Sequence, residues 1–232
     1  MVNFILFIEK IIDYSKKNID EGNTPLDIYQ ICCCIREAFC LSYAIRKNNN
    51  LYLYFQNENV LIKFEGINLR YLSSDERSQA LLLQKALEKA NQNKLSQIDQ
   101  WVKSTPGICI RRFNNPHSFI LWLKLMEFKE MVCVSNSISV HEFPFLAHMY
   151  DLPPIRKFSE LGHLNKYFFI IALNIHGNSL LINFLNSLVQ VFPAMLENII
   201  LSPLEKIKKV EEKILYINFR IDQQASTNNV IK

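Results

Sequence analysis

The sequence predicts an α/β domain in which helices flank a mostly parallel sheet. Three observations carry this. Short apolar runs of strand length recur along the chain. Segments with apolar residues at helical spacing separate them, and cap or turn residues stand where one pattern gives way to the other. From about Leu26 to Tyr43, Ile28, Ile31, Cys32, Ile35, Ala38 and Phe39 share one helical face, with Arg36 on the other and Arg46 and Lys47 just beyond. Asn48 to Asn50 form a loop. Leu51 to Phe55 and Val60 to Phe64 read as two strands around the turn Gln56-Asn57-Glu58-Asn59.

Ser73-Ser74-Asp75-Glu76 has capping-box spacing, Ser73 accepting from the third helical N–H and Glu76 reaching back. The helix it opens runs to about Ala90, with Ala80, Leu83 and Leu87 in one stripe. Ser104-Thr105-Pro106-Gly107 is a turn that leads into a strand over Ile108 to Ile110. Phe119 to Leu125 reads as helix, Met131 to Val134 and Phe168 to Ile171 as buried strands, and Leu180 to Val191 as an apolar helix. A last strand over Ile199 to Leu201 runs into Ser202-Pro203-Leu204-Glu205, a second capping box with proline at the first helical position. Leu204, Ile207, Val210, Ile214, Ile217 and Ile221 then follow helical spacing. Residues 223–232 are polar and expected to fray. No composition shift divides the chain, so residues 1–232 are expected to form one domain.

Composition excludes several classes. With 5 glycines and 8 prolines in 232 residues, neither collagen-like nor low-complexity structure fits. A net charge of +4 is compatible with a nucleic-acid partner without requiring one. Of the six cysteines, Cys32, Cys33 and Cys34 are consecutive and no pair has zinc-ligand spacing, so reduced thiols in a cytoplasmic protein are expected, and no metal. The apolar start, Met1 to Ile8, meets Glu9 and Lys10 too soon for a signal peptide. Phe168 to Leu196 contains no Asp, Glu, Lys or Arg, but Asn174, His176, Asn178, Asn183, Asn186 and Gln190 interrupt it. Amides at that density are costly in hydrocarbon, so strand, polar turn and helix are expected there, and no membrane span. In parallel sheets ligands bind beyond the carboxyl ends of the strands, which makes the segments after Val134, Ile171 and Leu201 the expected site.

Four segments occur in a telling order: Ala38 to Arg46 (AFCLSYAIR), Ser73 to Leu87 (SSDERSQALLLQKAL), Trp101 to Arg112 (WVKSTPGICIRR) and Ser202 to Glu205 (SPLE). Together they resemble the archaeal tRNA (pseudouridine-N1) methyltransferases, of the SPOUT superfamily, while residues 142–166 have no counterpart. The resemblance implies a C-terminal trefoil knot, an exception to the un-knotted rule. It also implies a homodimer, S-adenosylmethionine held in the knot, and methylation of N1 of pseudouridine 54 in the tRNA T loop.

Carried over by position, the resemblance implies cofactor contacts at Val134, Ala172, Gly177, Leu201, Ser202 and Leu204. It implies RNA contacts at Arg36, Arg46, Arg111 and Arg112. The family's Gly-Asp-His-like turn after an apolar strand is altered here: Phe169-Ile170-Ile171 is followed by Ala172-Leu173-Asn174, with Gly177 shifted. The His-Cys pair that follows SPLE in the family is replaced by Lys208, Lys209, Val210 and Glu211. Asp27 matches the family's early Asp if two residues are inserted, or its Arg without a gap. It is the candidate catalytic residue, and equally an N-terminal helix acid favoured by the dipole. His176 is a candidate base or a structural turn histidine. Two readings follow: a divergent but active methyltransferase, and an RNA-binding or dimeric scaffold that has lost catalysis.

Overall fold

A computed structural model describes residues 1–92, 98–126, 130–136, 153–173 and 179–230. The strands are β1 (Val2–Ile8), β2 (Asn49–Phe55), β3 (Val60–Glu65), β4 (Val102–Thr105), β5 (Ile108–Arg112), β6 (Met131–Ser135), β7 (Phe168–Ala172) and β8 (Ile199–Pro203). The α-helices are α1 (Lys16–Asp20), α2 (Leu26–Phe39), α3 (Glu76–Gln92), α4 (Pro116–Leu125), α5 (Ser179–Val191) and α6 (Val210–Val230). One sheet has the order β4-β5-β3-β2-β1-β7-β6-β8. From β2 to β8 every neighbouring pair is parallel, while β3, β5 and β4 add antiparallel strands at the other edge. The predicted α/β class is therefore present, with its parallel half where the expected site lies.

Helices cover both faces. Ile28, Ile31 and Ile35 of α2, Ala80 and Leu83 of α3, and Val210, Ile214 and Ile217 of α6 pack with Phe4, Leu6, Val134 and Phe169 on one side. Phe119 and Trp122 of α4 and Phe184, Leu185 and Leu188 of α5 pack with Ile5, Phe7 and Ile170 on the other. Burying each such side chain contributes roughly 1.5–3 kcal/mol. Because α2 lies between the sheet, α3 and α6, all three of Cys32, Cys33 and Cys34 are buried and free. Burial raises the Cys32 thiol to about 12.

Several sequence expectations change. Strand β1 was not foreseen: a run buried on both faces lacks the alternation that marks a half-exposed strand. Strand β4 makes STPG the turn of a hairpin instead of a mere lead-in. Helix α2 stops at Phe39, short of Tyr43, because Cys40 turns extended and bridges Ile45. The cap of α3 is Asp75, whose carboxylate accepts from the Ser78 N–H at 2.8 Å, and Ser73 donates to Asp75 instead of capping. The SPLE segment does not start a helix. Ser202 and Pro203 continue β8, paired with Val134 and Ser135, and the helix begins at Val210. A proline at a strand end gives up no ladder bond, and Glu211 and Glu212 supply the first-turn acids that the helix dipole favours. At the other end α6 continues through Gln223 to Val230, where fraying was expected. The uncharged stretch resolves into β7 and α5, and among the described residues no helix is long and apolar enough to cross a membrane.

Gly107 takes φ +79°, and a Cβ there would meet the Leu69 backbone N and the Asn68 carbonyl carbon. Gly107→Ala is expected to lower stability by at least ~2 kcal/mol, through the left-handed φ and the backbone overlap together. Urea unfolding of the two proteins checks this, and an unchanged midpoint would contradict the turn geometry.

Candidate functional site

The carboxyl ends of β7, β6 and β8 lie side by side, about 4.8 Å apart from strand to strand. Val134 pairs in register with Ile171 on one side and with Ser202 on the other. The Leu204 N–H donates to the Ser135 carbonyl at 2.9 Å, which carries the β6–β8 ladder to the end of β6. The sheet thus brings Val134, Ala172, Leu201, Ser202 and Leu204 to one edge. Strand alternation divides them between faces. Val134 is on the α2/α3/α6 face, and Ser202, two residues past Ile200, shares it. Leu201 and Ala172 pack toward α4 and α5. Gly177, Asn174 and His176 lie outside the described residues, as do residues 137–152, which include much of the segment without a family counterpart.

Beyond β8 the chain adds a further edge. Leu201 donates to the Pro154 carbonyl and accepts from the Arg156 N–H, both at 2.9 Å. The chain then crosses the α6 face of the sheet, because the Phe158 ring packs on Phe169 of β7 and on Tyr216 of α6. Gln224 fixes the far side of this crossing, donating to the Gly162 carbonyl at 2.8 Å and accepting from the Leu164 N–H at 3.0 Å.

One polar group at this end is buried without a partner among the described residues, and a lysine on α6 is covered as well. Ser202 is 0% exposed and its hydroxyl has no hydrogen-bond partner among the described residues. A buried hydroxyl left unpaired costs about 1–3 kcal/mol, so an orphan at the convergence of three strand ends fits a site shaped for a ligand that the chain itself does not supply. Lys213, on α6, is 3% exposed, and no hydrogen bond or ion pair holds its ammonium among the described residues. Burial pushes it down to about 8. Sequence reasoning missed Lys213, although its spacing from Val210 and Ile217 (i+3, i−4) places it beside the apolar stripe of α6. Lys206, Lys208 and Lys209, read as a solvated helix face, are exposed but precede the helix.

Asp27 sits in the first turn of α2. The far end of α2 is held at the amino edge of the sheet, where the Asn49 side chain donates to the Ala38 carbonyl. The helix then spans roughly 20 Å, which carries Asp27 to the carboxyl edge, the edge of the other candidates.

The four arginines are dispersed and mostly engaged. Arg36 pairs with its neighbour Glu37 at 2.9 Å. Arg46 makes a two-pronged pair with Asp222 at 2.8 and 2.7 Å, tying the loop after α2 to α6. Arg111 lies over the Trp101 and Phe113 rings and faces Asp99 at 3.7 Å. Arg112 donates to the Glu58 and Ala90 carbonyls, and burial lowers its pKa. Arg111 and Arg112 stand on β5, at the opposite edge of the sheet from β8.

Residues 1–136 match a family model described as "Putative SAM-dependent RNA methyltransferase". The chain belongs to this family. Among curated proteins it is similar to the tRNA (pseudouridine(54)-N(1))-methyltransferase of Methanosarcina acetivorans, 36% identical over 102 residues, which are 43% of this chain and 44% of the relative. The enzyme of the same name from Methanocaldococcus jannaschii is 39% identical over 118 residues, 48% of this chain and 57% of the relative. That of Haloferax volcanii is 39% identical over 100 residues, 43% of this chain and 48% of the relative. The chain thus spans about half the length of the curated relatives it matches. The family match ends just past β6, so Ala172, Leu201, Ser202 and Leu204 lie beyond it.

Lys213 has a direct consequence for stability. Its pKa is lower folded than unfolded, so the native state binds fewer protons and stability rises as the pH climbs from about 8 toward the ordinary lysine value of 10.5. Below about 8 the full penalty, roughly 2–4 kcal/mol, is present. Lys213→Met is expected to stabilise the protein by about that amount at pH 7, with the gain shrinking above pH 10. Unfolding curves at both pH values measure it, and a variant less stable at pH 7 would contradict the burial of an unpaired ammonium.

Proposed function

We propose that the protein is an S-adenosylmethionine-dependent tRNA methyltransferase acting on N1 of pseudouridine 54 in the T loop. The observation that carries this reading is the buried, unpartnered Ser202 hydroxyl at the joined ends of β7, β6 and β8, in a chain of this RNA methyltransferase family. The names of its archaeal relatives supply the substrate.

S-adenosylmethionine brings a methyl group already activated by its sulfonium. The protein's part is to bind and orient it and to help remove the N1 proton. Val134, Ala172, Leu201 and Leu204 give apolar and backbone contact, Ser202 gives a hydroxyl, and Gly177 completes the set. Asp27, at the same edge of the sheet, accepts the proton. Arg36, Arg46, Arg111 and Arg112 meet RNA phosphates, Arg46 and Arg112 by exchanging their present partners.

The same reading includes a C-terminal trefoil knot. Its support is that β8 lies between β6 and Pro154–Arg156, two segments that precede it in the chain. It also includes a homodimer in the cytoplasm. Leu215 and Phe219, one turn apart on α6 and half exposed, are an apolar surface that such an association would cover.

A second reading rests on Ala172-Leu173, which stand where the family has a glycine and a charged residue. A chain that binds tRNA without transferring methyl would fit that change. One experiment separates the two: labelled S-adenosylmethionine, pseudouridine-containing tRNA, and mapping of the modified base. The expected outcome is label on N1 of pseudouridine 54, reduced about 10-fold or more by Asp27→Asn. Salt-sensitive tRNA binding with no label favours the scaffold, and neither binding nor label removes both.

A further inference from the structure

A half-open cavity of about 120 Å³ lies between α4, α5 and the carboxyl end of β2. Tyr54 and Gln56 line it from the β2 end, Phe119 from α4, and Asn183, Phe184 and Ser187 from α5. The Tyr54 and Phe119 rings stack at 3.7 Å, and the Phe184 ring meets Phe119 edge-on at 6.4 Å. The space exists because of a small residue. Leu181, Phe184, Leu185 and Leu188 fill the core beneath α5, but position 187 is serine. The Ser187 hydroxyl donates to the Asn183 carbonyl at 2.9 Å, so it is satisfied within its own helix. A larger apolar side chain there would close the cavity.

Sheet register ties the cavity to the candidate site. One rung joins Tyr54 to Phe7 and Phe7 to Ala172. All three side chains are on the α4/α5 face. Tyr54 and Ala172 are therefore two strands apart at the same height, about 10 Å. Phe184, a wall of the cavity, packs on the intervening Phe7 at 4.7 Å. The lining also has a chemical character. A dry cavity of roughly 150 Å³ takes one benzene ring, so this one matches a single six-membered ring and is too small for a fused purine. Aromatic walls suit a flat π-system. Amides stand beside them: Asn183 is exposed at the mouth, and the Gln56 amide nitrogen donates to the Leu180 carbonyl at 3.3 Å, which leaves its oxygen to accept. An amide offers both donor and acceptor, the complement of the alternating carbonyl and N–H edge of a uracil-type ring.

We propose that this cavity is a base subsite, which takes the ring of one unpaired pyrimidine of the substrate RNA. This rests on the RNA methyltransferase reading given above. The base that receives the methyl group must touch the donor at the ends of β7, β6 and β8. At about 10 Å from Ala172, the cavity holds a neighbouring nucleotide instead, and its part is to position the RNA. Unpaired bases are the ones free to leave their stack and lie against aromatic side chains.

The test measures equilibrium binding of the full chain to a T-loop hairpin RNA that carries the pseudouridine. The hairpin is used intact and with each other unpaired pyrimidine in turn made abasic. Wild type is expected to lose roughly 10- to 100-fold in affinity at one of these positions. Ser187→Phe, which fills the cavity, is expected to bind the intact hairpin as weakly as wild type binds that abasic one. Removing the same base is then expected to change its affinity by no more than about twofold. Asn183→Trp, at the exposed mouth, gives the same readout should Ser187→Phe not fold. The subsite is overturned, with the RNA reading intact, if wild type binds but no abasic position weakens it. It is equally overturned if a folded filled variant binds the intact hairpin as wild type does, or keeps the wild-type loss at the sensitive position. If wild type does not bind the hairpin at all, the RNA reading falls and the subsite with it.

Discussion

Strand β1 is hydrogen-bonded along both edges, to β2 and to β7, and it fills both cores. Phe4 and Leu6 enter the layer of α2, α3 and α6, and Ile5 and Phe7 enter the layer of α4 and α5. The part of the chain matched by the family model ends just past β6, while β7 and β8 belong to the part that follows. The two halves therefore meet along the β1–β7, β6–β7 and β6–β8 ladders, and the β1–β7 ladder fixes how high the ends of β7, β6 and β8 stand relative to β1. Aromatic contact reinforces the register: the Phe4 and Phe169 rings stack at 5.7 Å, on partners that the ladder places opposite one another. A slip of one residue here would turn every β1 side chain to the wrong core and carry the site out of line.

This doubly buried strand also explains what the sequence could not show. Helices α2, α3 and α5 were legible because each keeps a polar or half-exposed side, so that apolar spacing of three and four stands out. The hairpin of β2 and β3 was legible from its turn residues, and Asn59 indeed takes φ +52°. Val2 to Ile8 shows neither period. Its continuous apolar run, too short for a signal peptide, carries no period that marks a strand, and only the partners on both edges decide. SPLE misled for a related reason. Serine, proline and glutamate at capping-box spacing state a local preference, but the pairing of Ser202 with Val134 and of Pro203 with Ser135 overrides it and moves the helix start to Val210.

The candidate site was legible where topology alone specifies it. A parallel sheet gathers the ends of adjacent strands, so Val134, Ala172, Leu201 and Ser202 come together without any knowledge of their side-chain partners. The arginines were a different kind of inference, because a sequence does not reveal what a guanidinium is bonded to. Arg46 closes on Asp222, far along the chain, and Arg112 on carbonyls of Glu58 and Ala90. Lys213 was invisible for the converse reason: a lysine in a run with Lys206, Lys208 and Lys209 reads as solvated until packing shows that it alone is covered.

Burial of polar groups in this fold takes two forms, and the contrast bears on function. At the amino edge Asn49 and Asn218 are buried and satisfied: Asn49 donates to Ala38 and Asn218, and Asn218 donates to the Glu37 carbonyl at 2.8 Å. That network fastens α2 and α6 to the start of β2 and has no need of a ligand. At the carboxyl edge the Ser202 hydroxyl is buried with no partner among the described residues, and Lys213 is covered on α6, a helix that this network holds in place. Apolar residues of similar size at either position would remove a penalty of a few kcal/mol. A buried, unrelieved hydroxyl at the joined strand ends is expected where stability is given up for binding, while Thr105, Arg111, Asn186 and Glu211 carry buried unpartnered atoms elsewhere among the described residues.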